Sequence, residues 1–242
     1  MDESTSQFLQ LFDEHEETTP SQPLQLHPKA PRLSVQIETS PTVEWDAVLD
    51  VTIKVQYAPE SLIHQNEPVK PCIFHTYDLC NPDNFQFERF VDGSWEPCEK
   101  NDDGGCSFRI VDDPDLAIHV SQDEDFESLS PGETWRTSNR IQGDWWTTFP
   151  TDARNGDRFR YYFIGVTLDW WDWGSKAEHE ETVVMLPCWI AGHVTEPVAN
   201  GGRPKLVVPA SEAVEILYKA RSEGTWLELF WQRENASQAS LR

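Results

Sequence analysis

From Arg32 onward the sequence repeatedly alternates apolar and polar residues, and this period of two restricts the possible folds more than any other feature. Apolar residues occupy every second position from Leu33 to Ile37 and again from Val51 to Tyr57. Successive side chains of a β-strand point to opposite faces, so such a run buries one face and leaves the other in water. The alternation therefore predicts half-buried strands of antiparallel sheets.

Further β-branched or aromatic runs follow at short intervals, with turn residues between them. These runs cover residues 72–77, 85–91, 108–111, 116–120, 134–137, 158–168, 182–186, 205–208 and 214–218. Asp92 and Gly93 interrupt the pattern with the residue pair that a type I′ hairpin turn prefers. We expect residues 31–218 to form an all-β domain, an antiparallel β-sandwich of roughly ten strands.

The two ends of the chain differ from this domain. Residues 1–30 are polar, and their six acidic residues and one lysine predict a disordered acidic tail. Residues 219–242 form a C-terminal amphipathic segment, in which Trp226, Leu229 and Phe230 have the spacing of a short helix. This apolar stripe docks either on its own domain or on another molecule.

The charge of the chain argues against several partners. With 42 acidic and 19 basic residues, its formal net charge is -23, which opposes contacts to phosphate and to anionic membranes. We expect neither nucleic acid nor membrane as a partner. The first residues show no basic region, and the apolar patch at residues 8–12 is too short for a signal sequence, which favours a cytoplasmic or nuclear location. The five cysteines are then expected as free thiols.

The densest group of aromatic residues lies at positions 168–174, which contain three tryptophans and two aspartates. On a strand, Trp171 and Trp173 share one face while Trp170 and Asp172 share the other, so at least one face must be covered. In one interpretation Trp171 and Trp173 fill the core between the sheets.

A second interpretation remains open, in which the tryptophans form a recognition surface. Trp170 with Trp145 or Trp146 then provides an exposed platform for a planar or cationic ligand. The candidate ligand-binding residues are Trp145, Trp146, Trp170, Trp171, Trp173 and Arg160.

Three aspartates near these rings are the candidates for acid–base chemistry: Asp144, Asp169 and Asp172. An apolar environment raises the pKa of a carboxyl group, and a raised pKa suits a general acid. The structural alternative is ion pairing of these aspartates with Arg158, Arg160 or Arg203.

Known catalytic signatures do not occur in the sequence. It contains no nucleophile elbow, P-loop or dinucleotide-binding glycine motif, and the cysteine and histidine spacings do not match a zinc site, so we expect no cofactor and no metal. We therefore predict a non-enzymatic binding or interaction module that takes a protein partner or a hydrophobic small molecule. The alternative is a small-molecule enzyme, of the cyclase or isomerase type, with an aromatic cavity and an aspartate general acid or base.

Two stretches resemble known proteins. Residues 128–134, with the sequence Ser-Leu-Ser-Pro-Gly-Glu-Thr, resemble a connection found before a strand in immunoglobulin-like and arrestin-like sandwiches. The second half of the chain, including residues 156–159, 169–174, 186–189 and 201–210, looks like uncharacterised intracellular proteins of filamentous fungi. The resemblance implies a β-sandwich and carries no activity with it.

We expect limited proteolysis to remove roughly the first 30 residues and to leave a β-rich core, because disordered tails are cut first. Mass spectrometry of the product and its far-UV circular dichroism spectrum provide the measurement. A protected N-terminus would contradict the prediction of a disordered tail, and a strongly helical spectrum would contradict the fold class.

Overall fold

A computed structural model describes residues 26–44, 48–58, 70–98, 114–141, 149–187, 192–195 and 202–220. The strands in these residues are β1 (Leu33–Thr39), β2 (Thr42–Glu44), β3 (Leu49–Tyr57), β4 (Cys72–His75), β5 (Phe85–Val91), β6 (Ser94–Pro97), β7 (Leu116–His119), β8 (Phe126–Leu129), β9 (Thr134–Ile141), β10 (Arg158–Phe163), β11 (Val166–Thr167), β12 (Trp171–Trp173), β13 (Val183–Leu186), β14 (Val207–Val208) and β15 (Val214–Lys219). The short helices are an α-helix at Tyr77–Cys80 and 3-10 helices at Pro82–Asn84 and Lys176–His179.

Two larger sheets confirm the predicted all-β sandwich. One sheet has the strand order β1-β3-β9, and the other has the order β2-β15-β10-β5-β6. Strand β3 lies at the centre of the first sheet, and its alternate residues Val51, Ile53 and Val55 are completely buried. The period of two in the sequence thus sets which face of this strand turns inward.

The second sheet contributes an aromatic inner face. Phe85 and Phe87 of β5 lie among Phe159, Tyr161 and Phe163 of the paired strand β10. The rings of Phe85 and Tyr161 stack at 5.3 Å, as do those of Phe87 and Phe159. These rings and the aliphatic face of the first sheet form one continuous cluster, the large core.

A third sheet, of order β12-β4-β8, separates this large core from a second, small core. All four residues of β4 are buried, because Cys72 and Phe74 lie in the large core while Ile73 points to the small core. The two-stranded sheet β13-β7 covers the small core with Val184 and Leu186. Strand β4 is therefore the element that joins the two cores.

The described residues contain fifteen strands, more than the roughly ten expected. The run at 158–168 forms two strands, because Ile164 and Gly165 interrupt it and the Ile164 N–H donates to the Asn84 carbonyl. Strands β2 and β8 were not predicted, whereas β12 coincides with the short strand considered for the tryptophan run. Strand β2 pairs with β15 in parallel, which departs from a purely antiparallel sandwich. The predicted hairpin turn is confirmed, since Asp92 and Gly93 both have positive φ.

Several predictions lie outside the described residues. These are the tail up to residue 25, the strand at 108–111 and the C-terminal segment beyond residue 220. Cys72, Cys80 and Cys98 are free thiols, and burial raises the pKa of Cys72 to about 12. In the part of the chain that the structure describes, no helix is long and apolar enough to cross a bilayer.

The interruption at Gly165 provides a test of the packing. Gly165 has φ of 86°, and a Cβ added there would lie 2.8 Å from the backbone nitrogen of Ala210. Gly132 has a similar φ of 89°, but a Cβ there would meet no atom within 4 Å. Both Gly→Ala changes carry the strain of positive φ, about 1 kcal/mol, whereas only Gly165→Ala adds a backbone clash. In urea unfolding, we expect Gly165→Ala to lose at least about 1 kcal/mol more stability than Gly132→Ala. Equal losses of the two variants would contradict this packing.

Candidate functional site

The tryptophan run enters the fold at β12, which pairs antiparallel with β4. Trp171 lies opposite Phe74, and Trp173 lies opposite Cys72. Trp171 is buried in the large core, where its ring meets that of Trp173 edge-on at 5.3 Å. Trp170, which precedes the strand, lies in the small core. The core interpretation is therefore confirmed for Trp171, whereas Trp173 is only partly buried and packs against the large core from its edge.

The prediction of an exposed platform at Trp170 is wrong, because only 5% of this residue is exposed. Its ring is covered by Phe126 at 5.4 Å and by His179 at 6.1 Å, both in edge-on contacts. The companions predicted for it, Trp145 and Trp146, lie outside the described residues, as does Asp144. Trp170 thus offers a ligand at most the rim of its ring.

A cleft of about 420 Å³ opens beside the tryptophan run, and we call it the tryptophan cleft. Its walls consist of Thr167, Leu168, Asp169, Trp170, Trp171, Pro204 and Lys205. The indole N–H of Trp171 donates to the Pro204 carbonyl at 2.9 Å, which fixes one wall. Its volume lies within the range of small-molecule sites, and its lining combines apolar side chains with the polar residues Thr167, Asp169 and Lys205. The cleft brings together the predicted residues Asp169, Trp170 and Trp171.

Asp172 forms one of the ion pairs that the structural alternative predicted, with Arg203 as its partner. Its carboxylate lies 2.9 Å from the guanidinium of Arg203 and also accepts the backbone N–H of Trp173 at 2.7 Å. The same guanidinium lies 5.9 Å from the centre of the Trp171 ring. Asp172 and Arg203 together hold β12 against the chain that precedes β14.

The partner of Asp169 is His75, at the end of β4. Nδ1 of His75 lies 3.2 and 3.0 Å from the two carboxylate oxygens, which also accept the backbone N–H groups of Trp170 and Val194 at 2.7 Å each. Burial acts to raise the pKa of Asp169, but the hydrogen bond and charge of His75 and the two N–H groups hold it below its ordinary value. The raised pKa considered for a general acid is therefore not found at Asp169, which remains ionised at neutral pH.

A second aspartate, Asp78, lies next to this pair in the short helix at Tyr77–Cys80. Its side chain is 7% exposed, and burial raises its pKa, with a further upward contribution from the charge on Asp169. His193, His75 and the backbone N–H of Asp169 favour the ionised form but do not outweigh burial. Among the described residues, Oδ2 of Asp78 has no hydrogen-bond partner. Ionised Asp78 is therefore an unfavourable group in this environment.

His193 lies over both carboxylates from the surface. Its Nδ1 is 3.7 Å from Oδ1 of Asp78 and 3.7 Å from Oδ2 of Asp169, and 61% of its side chain is exposed. The ring of Tyr77 meets the imidazole edge-on at 5.0 Å. The next residue, Val194, is buried in the small core beside Trp170. His193 is thus an accessible histidine on an anchored piece of chain.

We call His75, Asp78, Asp169 and His193 the histidine–aspartate cluster. Within the described ranges, no group of three or more histidine, cysteine, aspartate or glutamate side chains is arranged to hold a metal ion. The carboxylate oxygens of Asp169 already accept hydrogen bonds from His75, Trp170 and Val194. Imidazole and carboxyl groups that lie this close are of the types that hold and exchange protons. No sequence signal identified it, because its four members come from three separate stretches of the chain.

Arg160 and His179 are engaged in local contacts within the fold. Arg160 pairs with Glu88 on the five-stranded sheet, and its guanidinium lies 4.6 Å from the centre of the Trp95 ring. It is not among the residues that line the tryptophan cleft. His179 is buried with both ring nitrogens engaged, one with the Trp173 carbonyl at 2.9 Å and one with the Thr182 hydroxyl at 3.0 Å. The predicted role of Arg160 in ligand binding remains untested.

Comparisons with known proteins give little further information. No family model matches the chain, and no curated protein matches it either. A solved structure with some similarity is the CARDB domain of the PF1109 protein from Pyrococcus furiosus, crystallised in complex with di-metal ions. The two are 11% identical, the alignment covers 80% of this chain and 97% of that one, and the TM-score is 0.24.

The opposite environments of Asp169 and Asp78 predict opposite results for the same substitution. Removing the negative partner of buried His75 in Asp169→Asn should cost about 3 kcal/mol of stability at pH 7. Since the lowered pKa stabilises the fold only where Asp169 is ionised, this loss should shrink as pH falls through its folded pKa. Asp78→Asn should instead raise the melting temperature at pH 7, because a raised pKa makes the ionised form destabilising, and this gain should disappear in acid. Thermal unfolding between pH 3 and 7 checks both; destabilisation by Asp78→Asn at pH 7 would contradict the assignment.

Proposed function

We propose that this domain binds a hydrophobic small molecule in the tryptophan cleft. The observation that carries the proposal is the cleft of about 420 Å³ whose walls include Trp170, Trp171 and Pro204. Small-molecule sites are concave and mostly apolar, with a few polar groups that orient the ligand.

The polar groups of the cleft indicate how such a ligand is oriented. Asp169 already accepts hydrogen bonds from His75, Trp170 and Val194, so it has little capacity left for a ligand donor. Lys205 also lines the cleft and is exposed. The ligand that fits best has a flat apolar body and an acceptor or anionic group that faces the Lys205 ammonium.

A fluorescence titration tests this proposal. The probe is 1-anilinonaphthalene-8-sulfonate, which combines flat rings with a sulfonate and becomes brighter in an apolar site. We expect saturable binding that Lys205→Glu weakens about tenfold or more, because the sulfonate then meets a carboxylate in the cleft.

Lys219→Glu provides the matched control. Lys219 lies in β15, outside the residues that line the cleft, and the substitution makes the same change in net charge. Affinity close to that of the unmodified protein is expected for this variant. Equal weakening by both substitutions would mean that the probe responds to overall charge, and the cleft would lose its assigned role.

A further inference from the structure

The histidine–aspartate cluster has a geometry that ligand binding alone does not require. We propose that His193 is the proton-accepting residue of an acid–base site, positioned by Asp78 and Asp169, that acts on a weakly acidic C–H group of a flat conjugated molecule. This inference rests on the proposed function, because the molecule must lie at the Asp169 end of the tryptophan cleft to meet His193. His193 does not line the cleft itself, but its Nδ1 lies 3.7 Å from Oδ2 of Asp169, which does.

The position of His193 fits this role. A general base must reach its substrate, and 61% of the His193 side chain is exposed while Nδ1 faces two carboxylates at 3.7 Å. At this distance the carboxylates form no hydrogen bond with the imidazole, but their negative charge stabilises the imidazolium that forms when the ring takes a proton. The edge-on contact with Tyr77 restricts the ring.

Asp169 positions His193 through the backbone as well as through charge. Its Oδ2 accepts the N–H of Val194 at 2.7 Å, so the carboxylate that faces the imidazole also anchors the next residue. Buried His75 in turn fixes Asp169 through Nδ1. The Phe126 ring stacks on His75 at 4.7 Å, which keeps this support rigid.

The burial of Asp78 supports the role of His193 independently of the position of the imidazole. Its side chain is 93% buried, and its Oδ2 lacks a partner among the described residues although Oδ1 faces His193. A buried carboxylate with an unsatisfied oxygen reduces stability, and such groups concentrate at functional sites. The two carboxylates differ in their surroundings, since burial raises the pKa of Asp78 whereas His75 and two backbone N–H groups hold that of Asp169 below its ordinary value.

The other described histidines near the site do not fit the role. His75 is completely buried, and both ring nitrogens of His179 are engaged. In the proposed reaction, His193 takes a proton from carbon and returns it to another position of the same molecule. The reaction is an isomerisation, so atoms and charge balance without a further reactant.

The probe for this activity is 5-nitrobenzisoxazole, a flat molecule whose ring opens when a base removes its carbon-bound hydrogen. The proton passes to the His193 imidazole, the N–O bond breaks with its electron pair on oxygen, and a nitrile and a coloured phenolate form. We expect the protein to accelerate this opening and His193→Gln to lower kcat at least about tenfold with KM almost unchanged.

Two further variants complete the design. His119→Gln is the matched control, because His119 lies in β7 and its Nδ1 is 3.4 Å from the Glu180 carbonyl rather than near a carboxylate; we expect unchanged kinetics. Asp78→Asn is expected to fold and to shift the rising limb of the pH–rate profile to lower pH, since one of the charges that stabilise the imidazolium is lost.

The outcomes separate this inference from the proposed function. Equal kcat for His193→Gln and the unmodified protein would overturn the inference, as would a pH–rate profile that Asp78→Asn leaves unchanged. A rate that depends on His193 but is insensitive to Lys205→Glu in KM would uphold the inference and remove the cleft from the proposed function. Probe binding that Lys205→Glu weakens, without turnover dependent on His193, would leave the binding module and exclude the acid–base site.

Discussion

The structure depends on a single strand that is buried on both faces. Cys72 and Phe74 of strand β4 pack in the large core, and Ile73 packs in the small core, so neither core is complete without this strand. A strand covered on both sides can hold only side chains that are apolar or fully paired. His75, at the end of β4, is the one polar side chain of this strand. Because His75 is buried, its imidazole needs a hydrogen-bond partner, and Asp169 provides it.

This requirement connects the core to the candidate site. Because β12 pairs with β4, the residue that precedes Trp170 is brought next to His75, where it meets an imidazole that needs a carboxylate. The same carboxylate then receives Val194 and faces His193. His193 lies outside the strands, in residues 192–195, and the hydrogen bond from Val194 ties this stretch to the carboxylate that the pairing of β4 and β12 positions.

Alternation in the sequence was sufficient to predict β1, β3 and β10, since each has one face in the core and one toward solvent. It could not predict the end of β10, because Ile164 continues the apolar pattern while the close approach of the Ala210 backbone at Gly165 is a tertiary contact. The tryptophan run left two interpretations open, as indoles serve cores and sites alike. Asp78 and His193 were missed because nothing in their local sequence indicates that they meet.

The parallel pair of β2 and β15 has a consequence for the order of folding. Val43 pairs with Tyr218, so one of the first described strands finds its partner only in the last. During synthesis, which proceeds from the N-terminus, the five-stranded sheet keeps the β10 edge open until β15 emerges. Contacts so distant along the chain slow folding, and an unpaired edge of that kind invites association with other chains. The nascent protein is therefore most vulnerable to aggregation just before β15 is made.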